Sequence, residues 1–191
     1  CGVVAISLFA KIFGTCRAIY TLCRSGHSLE APTLTRSAIE ALITLRFITV
    51  KDCHERATRW AKFSYIGKWE VLKANPHLAE SEEVRRAVQE RAERVAKDYP
   101  SKIFWAAGLG IGSLRHMAEQ VELQWHYDII YWSGSQPTHA TAIAVDEYLR
   151  VSEEKQPLYQ MGLSGRHVRP ELAAAADCLI RGLMFLNEAF K

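Results

Sequence analysis

A chain of 191 residues with 49 % apolar and 24 % charged residues has a globular composition and enough apolar material for a sizeable core. Its net charge of +3 is small and dispersed, which argues against a nucleic acid or membrane partner unless folding gathers the charge into a patch. Five cysteines, at 1, 16, 23, 53 and 178, form no CxxC pair and no metal-ligand spacing. The odd count predicts reduced, buried thiols in a cytoplasmic protein rather than a disulfide framework.

The opening apolar stretch from Gly2 to Ala10 is stopped by Lys11. It is too short to span a bilayer, and no basic region or small-residue cleavage site marks a signal peptide. Residues 3–24 read as a helix whose polar stripe is only Ser7, Lys11 and Thr15. Such a helix is either central to the core or shared with a second subunit. Gly26 ends it.

A second helix over 29–50 accepts Pro32 in its first turn and is apolar nearly all round, which makes it central. Arg36 and Glu40 lie four apart inside an apolar stripe and are expected to pair. The pair serves either as a buried structural ion pair or as the lining of a cleft. Asp52 and Glu55 resemble a capping box for a third helix, 53–74, closed by Asn75-Pro76. Residues 80–99 alternate charge and form a solvated arm, about 77–100, protruding from a single domain 1–191.

The glycines Gly108, Gly110 and Gly112 lack the dinucleotide spacing and no strand precedes them. They read as a loop that lets Ser113 cap a short helix, 114–122. Next comes the stretch from Tyr127 to Ala142, in which Tyr127, Tyr131, Ser135 and His139 recur every four residues. It is expected to break at Gly134 and Pro137 and to resume at Thr138, capping a helix to Arg150 that carries His139, Ile143, Asp146 and Arg150 on one face. Residues 151–169 read as loop, and Pro170 starts a last amphipathic helix to Phe190. No segment alternates as a strand, so the fold class is all-α, a bundle of about seven helices.

No ferritin-type Glu-x-x-His pair occurs, and His116-x-x-Glu119 and Glu122-x3-His126 are only fragments. Neither metal nor other cofactor is expected. There is no nucleophile elbow, Walker loop or catalytic cysteine context.

Three motifs follow one another in order. They are Arg36-Ser37-x-x-Glu40, then Trp105 with Ser113-Leu114-Arg115-x-Met117-Ala118, then Tyr127-x3-Tyr131-x3-Ser135-x3-His139. In order and spacing they resemble the bacterial family catalogued as domain of unknown function 5677, over roughly residues 15–150. The resemblance implies an all-helical layout similar to HEPN domains, many of which are metal-independent ribonucleases of toxin and antiphage systems. The HEPN motif, Arg, then four to six residues, then His, does not occur here. Ser135 precedes His139 by four, so Arg36 or Arg115 would supply the cation from another helix.

Two functions follow. One is an interaction module of a defence or toxin–antitoxin type system, homodimeric through the first or last helix, with a protein partner. The alternative is a HEPN-like ribonuclease or nucleotide-directed enzyme acting on RNA or a nucleotide. There His139 is general acid or base, Arg36 or Arg115 steadies phosphate, Glu40 pairs with Arg36, and Tyr131 and Ser135 position substrate beside Tyr127. In the cleft arrangement His139 faces Arg36 and Glu40.

Overall fold

Helix α2, Ala31–Val50, is the axis around which the chain folds. It carries so few polar residues that no side of it can face water for long. Thr35, Ala38, Ile39, Leu42, Ile43, Leu45, Phe47 and Ile48 are all buried, and Pro32 sits in the first turn as expected. The computed structural model describes residues 1–101, 103–139, 141–151, 156–159 and 162–191. Among these it is an all-α bundle: α1 Gly2–Arg24, α2, α3 Cys53–Ala74, α4 Glu82–Ala96, α5 Leu114–Gln120, a π-helix His126–Tyr131, α6 Trp132–Thr138, α7 Ala142–Asp146 and α8 Val168–Ala189. Short 3-10 turns cover Pro76–Leu78 and Ala107–Leu109.

Helices α1 and α8 run antiparallel to each other and both pack on α2, α8 parallel to it as the pairs Thr35–Glu171 and Arg46–Glu188 show. The Cys16 thiol donates to the Ala175 carbonyl (3.4 Å), and Gly182 lets the Phe9 ring approach the α8 backbone. Ala5, Leu8, Ile12, Cys16, Ile19 and Cys23 form the inner face of α1. Its outer face leaves Ile6, Phe13 and Tyr20 about half exposed (48–58 %), and α8 leaves Ile180, Leu183 and Met184 at 51–59 %. By length and composition Gly2–Arg24 is long and apolar enough to cross a membrane, so Lys11 does not shorten it as the sequence reading had it. In this structure that helix is a core element.

Helix α3 spans the expected residues, but its cap differs. Asp52 is in the left-handed region (φ 48°) and its side chain makes no capping bond, so the capping box is not formed. The tight turn at Lys51–Asp52 brings the start of α3 beside the start of α1. Cys1 and Cys53 are disulfide-bonded there, with Cα atoms 5.6 Å apart. Only Cys16, Cys23 and Cys178 are the buried free thiols that were expected of all five. Burial pushes the Cys16 thiol up to about 11, so it stays protonated and inert.

Helix α4 packs chiefly on α3, capped by Ser81, whose hydroxyl accepts from the Val84 amide. Together they form the charged arm, with a small cluster of its own made by Ile66, Val95 and Tyr99. Ser113 caps α5 as expected, accepting from the His116 amide at 3.1 Å.

Two expectations fail downstream. The segment 126–138 does not break at Gly134 and Pro137 but runs through as the π-helix and α6, with Pro137 inside the helix. The Thr138 hydroxyl is turned back to the Gly134 carbonyl at 3.0 Å, so Thr141 caps the next helix and α7 is only five residues long. The two strands Leu149–Val151 and Pro157–Tyr159 pair antiparallel, the first where the expected helix would end at Arg150 and the second where loop is expected. Residues 152–155 and 160–161 of that stretch, and the Arg150 side chain, lie outside the description.

Candidate functional site

Where α6 crosses α2, Gly134 is buried against the first turn of α2. A Cβ there would overlap the Pro32 carbonyl oxygen and come within 2.9 Å of the Arg36 Cβ. This close crossing sets Arg36 against the π-helix. Its Nη2 donates to the Tyr131 hydroxyl (3.0 Å), and the guanidinium lies 4.9 Å from the Tyr131 ring centroid. Tyr131 stacks on Tyr127, with centroids 4.7 Å apart and planes 17° from parallel. The π-helix holds residues four apart in line on one side, which produces the stack. Burial pushes the Tyr127 hydroxyl above its ordinary value, and neighbouring Tyr131 adds to this. Arg115 reaches the same edge, paired with Asp128 (3.2 Å) and Glu119 (3.6 Å).

The structure therefore brings Arg36, Tyr127, Tyr131 and Arg115 into one region and leaves three expected residues outside it. Glu40 is exposed and unpaired with Arg36, so the expected ion pair is not formed. Tyr131 takes the guanidinium instead, from 95 residues away in sequence. The Ser135 hydroxyl is spent on the Tyr131 carbonyl (2.8 Å), one turn back in its own helix. His139 is exposed at the C-terminal end of α6, about 12 Å along the helix from Tyr131. It does not face Arg36 and Glu40 across a cleft. The cluster thus offers a fixed cation and two aromatic faces, and the carboxylate beside them, Asp128, is already paired with Arg115. The Arg36 Nε is buried with no hydrogen-bond partner among the described residues.

A second concave region was missed by the sequence reading. It is a cavity of ≈ 150 Å³ between the start of α2, α6, α7 and the first turn of α8, walled by Pro32, Trp132, Pro137 and Ile143. Two carboxylates line it. Glu171 is 9 % exposed, shares a short hydrogen bond with the Thr35 hydroxyl, and is pushed above the ordinary carboxylate value by burial. Glu147 is hydrogen-bonded to His167 and Arg166 (3.1 Å each). The His167 bond holds its carboxyl below the ordinary value. A periodicity signal for Glu171 existed: it is the one acid on the inner stripe of α8 that continues through Ala174, Ala175 and Cys178.

On the far side of Glu171, His126 is 5 % exposed and its Nε2 lies 2.8 Å from Asp177 Oδ2, which also accepts from Arg181 Nε. Glu122-x3-His126 is therefore no ligand pair, since His126 turns to α8. Among the described residues, no three His, Cys, Asp or Glu side chains are grouped to hold a metal ion.

Compared with curated proteins and with solved structures, the chain has no match in either set. A family model does match, over residues 2–157, which takes in the cation–aromatic cluster and stops before α8. By that match the chain belongs to the family described as "Family of unknown function (DUF5677)".

Proposed function

We propose that the protein is a helical interaction module that self-associates through α1 and α8. The observation that carries this reading is the outer surface of those two packed helices, where Ile6, Phe13 and Tyr20 of α1 and Ile180, Leu183 and Met184 of α8 are all about half exposed. Apolar side chains gathered this way are unstable in water and are usually covered by a partner. A second copy presenting the same surface covers them symmetrically. A role as one half of a defence or toxin–antitoxin pair rests only on the resemblance to HEPN-type domains.

Sedimentation of the full chain tests the reading. The expected result is a dimer at micromolar concentration, and a monomer for Phe13→Lys combined with Leu183→Glu, with the melting temperature of the isolated fold little changed. Wild type sedimenting as a monomer would sink it. Flotation of that monomer with lipid vesicles would assign the same face to a membrane surface instead.

The unpartnered Arg36 Nε beside two stacked tyrosines supports a second reading, an RNA- or nucleotide-directed enzyme with phosphate on Arg36 and a base on the aromatic faces. An RNA-cleavage assay in EDTA separates the two. Cleavage lost in both Arg36→Ala and His139→Ala favours the enzyme, and no cleavage by the wild type removes it.

A further inference from the structure

We propose that the cavity bounded by Glu171, Glu147 and the Trp132 side of α6 is a binding site for a small organic amine in its ammonium form, with a body the size of one six-membered ring. The reading is independent of self-association, because the cavity lies at the start of α2 and α8 and is not built from the outer α1–α8 face.

Size comes first. A cavity of ≈ 150 Å³ matches the volume known to hold a benzene-sized guest. Its walls are mainly apolar, so water inside it finds few partners and is readily displaced. Pro32, Pro137 and Ile143 offer contact area without polar groups.

Charge selects the rest of the ligand. Glu171 brings a carboxylate into an apolar surrounding, which is costly unless a cation or donor meets it. Among the described residues its Oε2 is engaged by Thr35 and its Oε1 has no hydrogen bond. The Thr35 hydroxyl also bonds the Ala31 carbonyl (3.2 Å), and a hydroxyl has a single hydrogen to give. Thr35 therefore cannot donate fully to an ionised Glu171 and to Ala31 at once. The arrangement is complete when Glu171 is protonated and donates to Thr35, or when a second donor arrives from the cavity. An ammonium group supplies that donor and the compensating charge together.

The other side of the cavity agrees. Glu147 already holds Arg166 and His167, and so shows that this wall accepts cations. Trp132 and Tyr148 line the cavity and are partly exposed, and an aromatic ring attracts a cation to its face. An anion would meet the Glu171 carboxylate on an otherwise apolar wall, while Glu147 is matched by Arg166 and His167, so an ammonium is favoured over a carboxylate beside Glu171.

Titration of the full chain with benzylamine, benzyl alcohol, toluene and benzoate, read by ligand-observed NMR, tests the site. These four share one ring and differ in charge and donor capacity. Benzylamine is expected to saturate with a Kd on the order of 1 mM or tighter, as a ligand this small allows. Benzyl alcohol and toluene should bind at least tenfold more weakly, and benzoate not at all. Glu171→Gln should weaken benzylamine at least tenfold while the protein melts cooperatively. Ile143→Trp, which fills the cavity from an exposed position on α7, should abolish binding without touching Glu171. The proposal is overturned if benzoate or toluene binds as tightly as benzylamine, if Ile143→Trp leaves binding intact, or if no ring compound binds.

Discussion

Glu171 is the residue whose chemistry the fold alters most plainly. Burial disfavours its charged form, so its folded-state affinity for a proton exceeds that of the unfolded chain. Any stability it contributes through that preference is fully present below the unfolded value, about pH 4.3, and is lost as pH rises through the higher folded value. At neutral pH the ionised side chain is a burden on the fold. Glu171→Gln keeps the shape and a hydrogen bond to Thr35 and has no charge to desolvate. It should raise the melting temperature at pH 7, and the advantage should vanish near pH 3, where both side chains are neutral. His167, and through it Glu147 with Arg166, faces position 171 in both proteins. A melt of the variant that is lower than wild type at pH 7 would show that the carboxylate is already compensated.

At the scale of elements, the helix crossing at Gly134 decides the geometry of the cation–aromatic cluster. Gly134→Ala puts a methyl group into the Pro32 carbonyl, and α2 and α6 must separate to admit it. The expected cost is about 1–3 kcal/mol, the usual range for forcing an extra methyl into a packed contact. Thermal or urea unfolding measures it, and an unchanged midpoint would mean that the crossing is looser than it is drawn here. This crossing also marks where the sequence stopped being legible. Helices α2 and α3 were readable because Pro32, Asn75 and Pro76 punctuate long periodic runs. The glycine and proline near 134–137 follow the same rules of punctuation, yet here Gly134 serves a contact with α2 and the helix runs on. Thr138 looked like a cap and instead bonds back within its own helix. The pairing of Arg36 with Glu40 was the local choice, and a tyrosine from a distant segment displaced it. Tyr127, Tyr131 and Arg36 stand out in the sequence as polar tips on largely apolar helices, and the structure places the three side by side. Glu171 belongs to no local motif, and what marks it is its tertiary contact with Thr35 of α2.

For the whole molecule, the composition pointed to one domain with a charged arm, and the described residues have that arrangement. What composition could not supply was how the arm is fastened. Arg59 of α3 does much of this. Its Nη2 donates to the Asp98 carbonyl (2.7 Å), its Nε to the Trp105 carbonyl (3.2 Å), and its own carbonyl accepts from the Tyr99 hydroxyl (2.6 Å). Gly108 leaves the room in which that guanidinium sits. The arm has its own small apolar cluster, and only this joint and the shared length of α3 tie it to the α2 core. Two tiers of backbone amide protection follow. Amides of α2 should exchange with deuterium only through global unfolding, while those of α4 should escape earlier through an opening confined to the arm. Arg59→Ala should speed exchange in α4 by lowering the free energy of that opening and leave the slowest α2 amides almost unmoved. Equal acceleration in both helices would mean that arm and core unfold as one cooperative unit. With two tiers, a protease would cut the native protein first within residues 76–101, in molecules whose core is still folded.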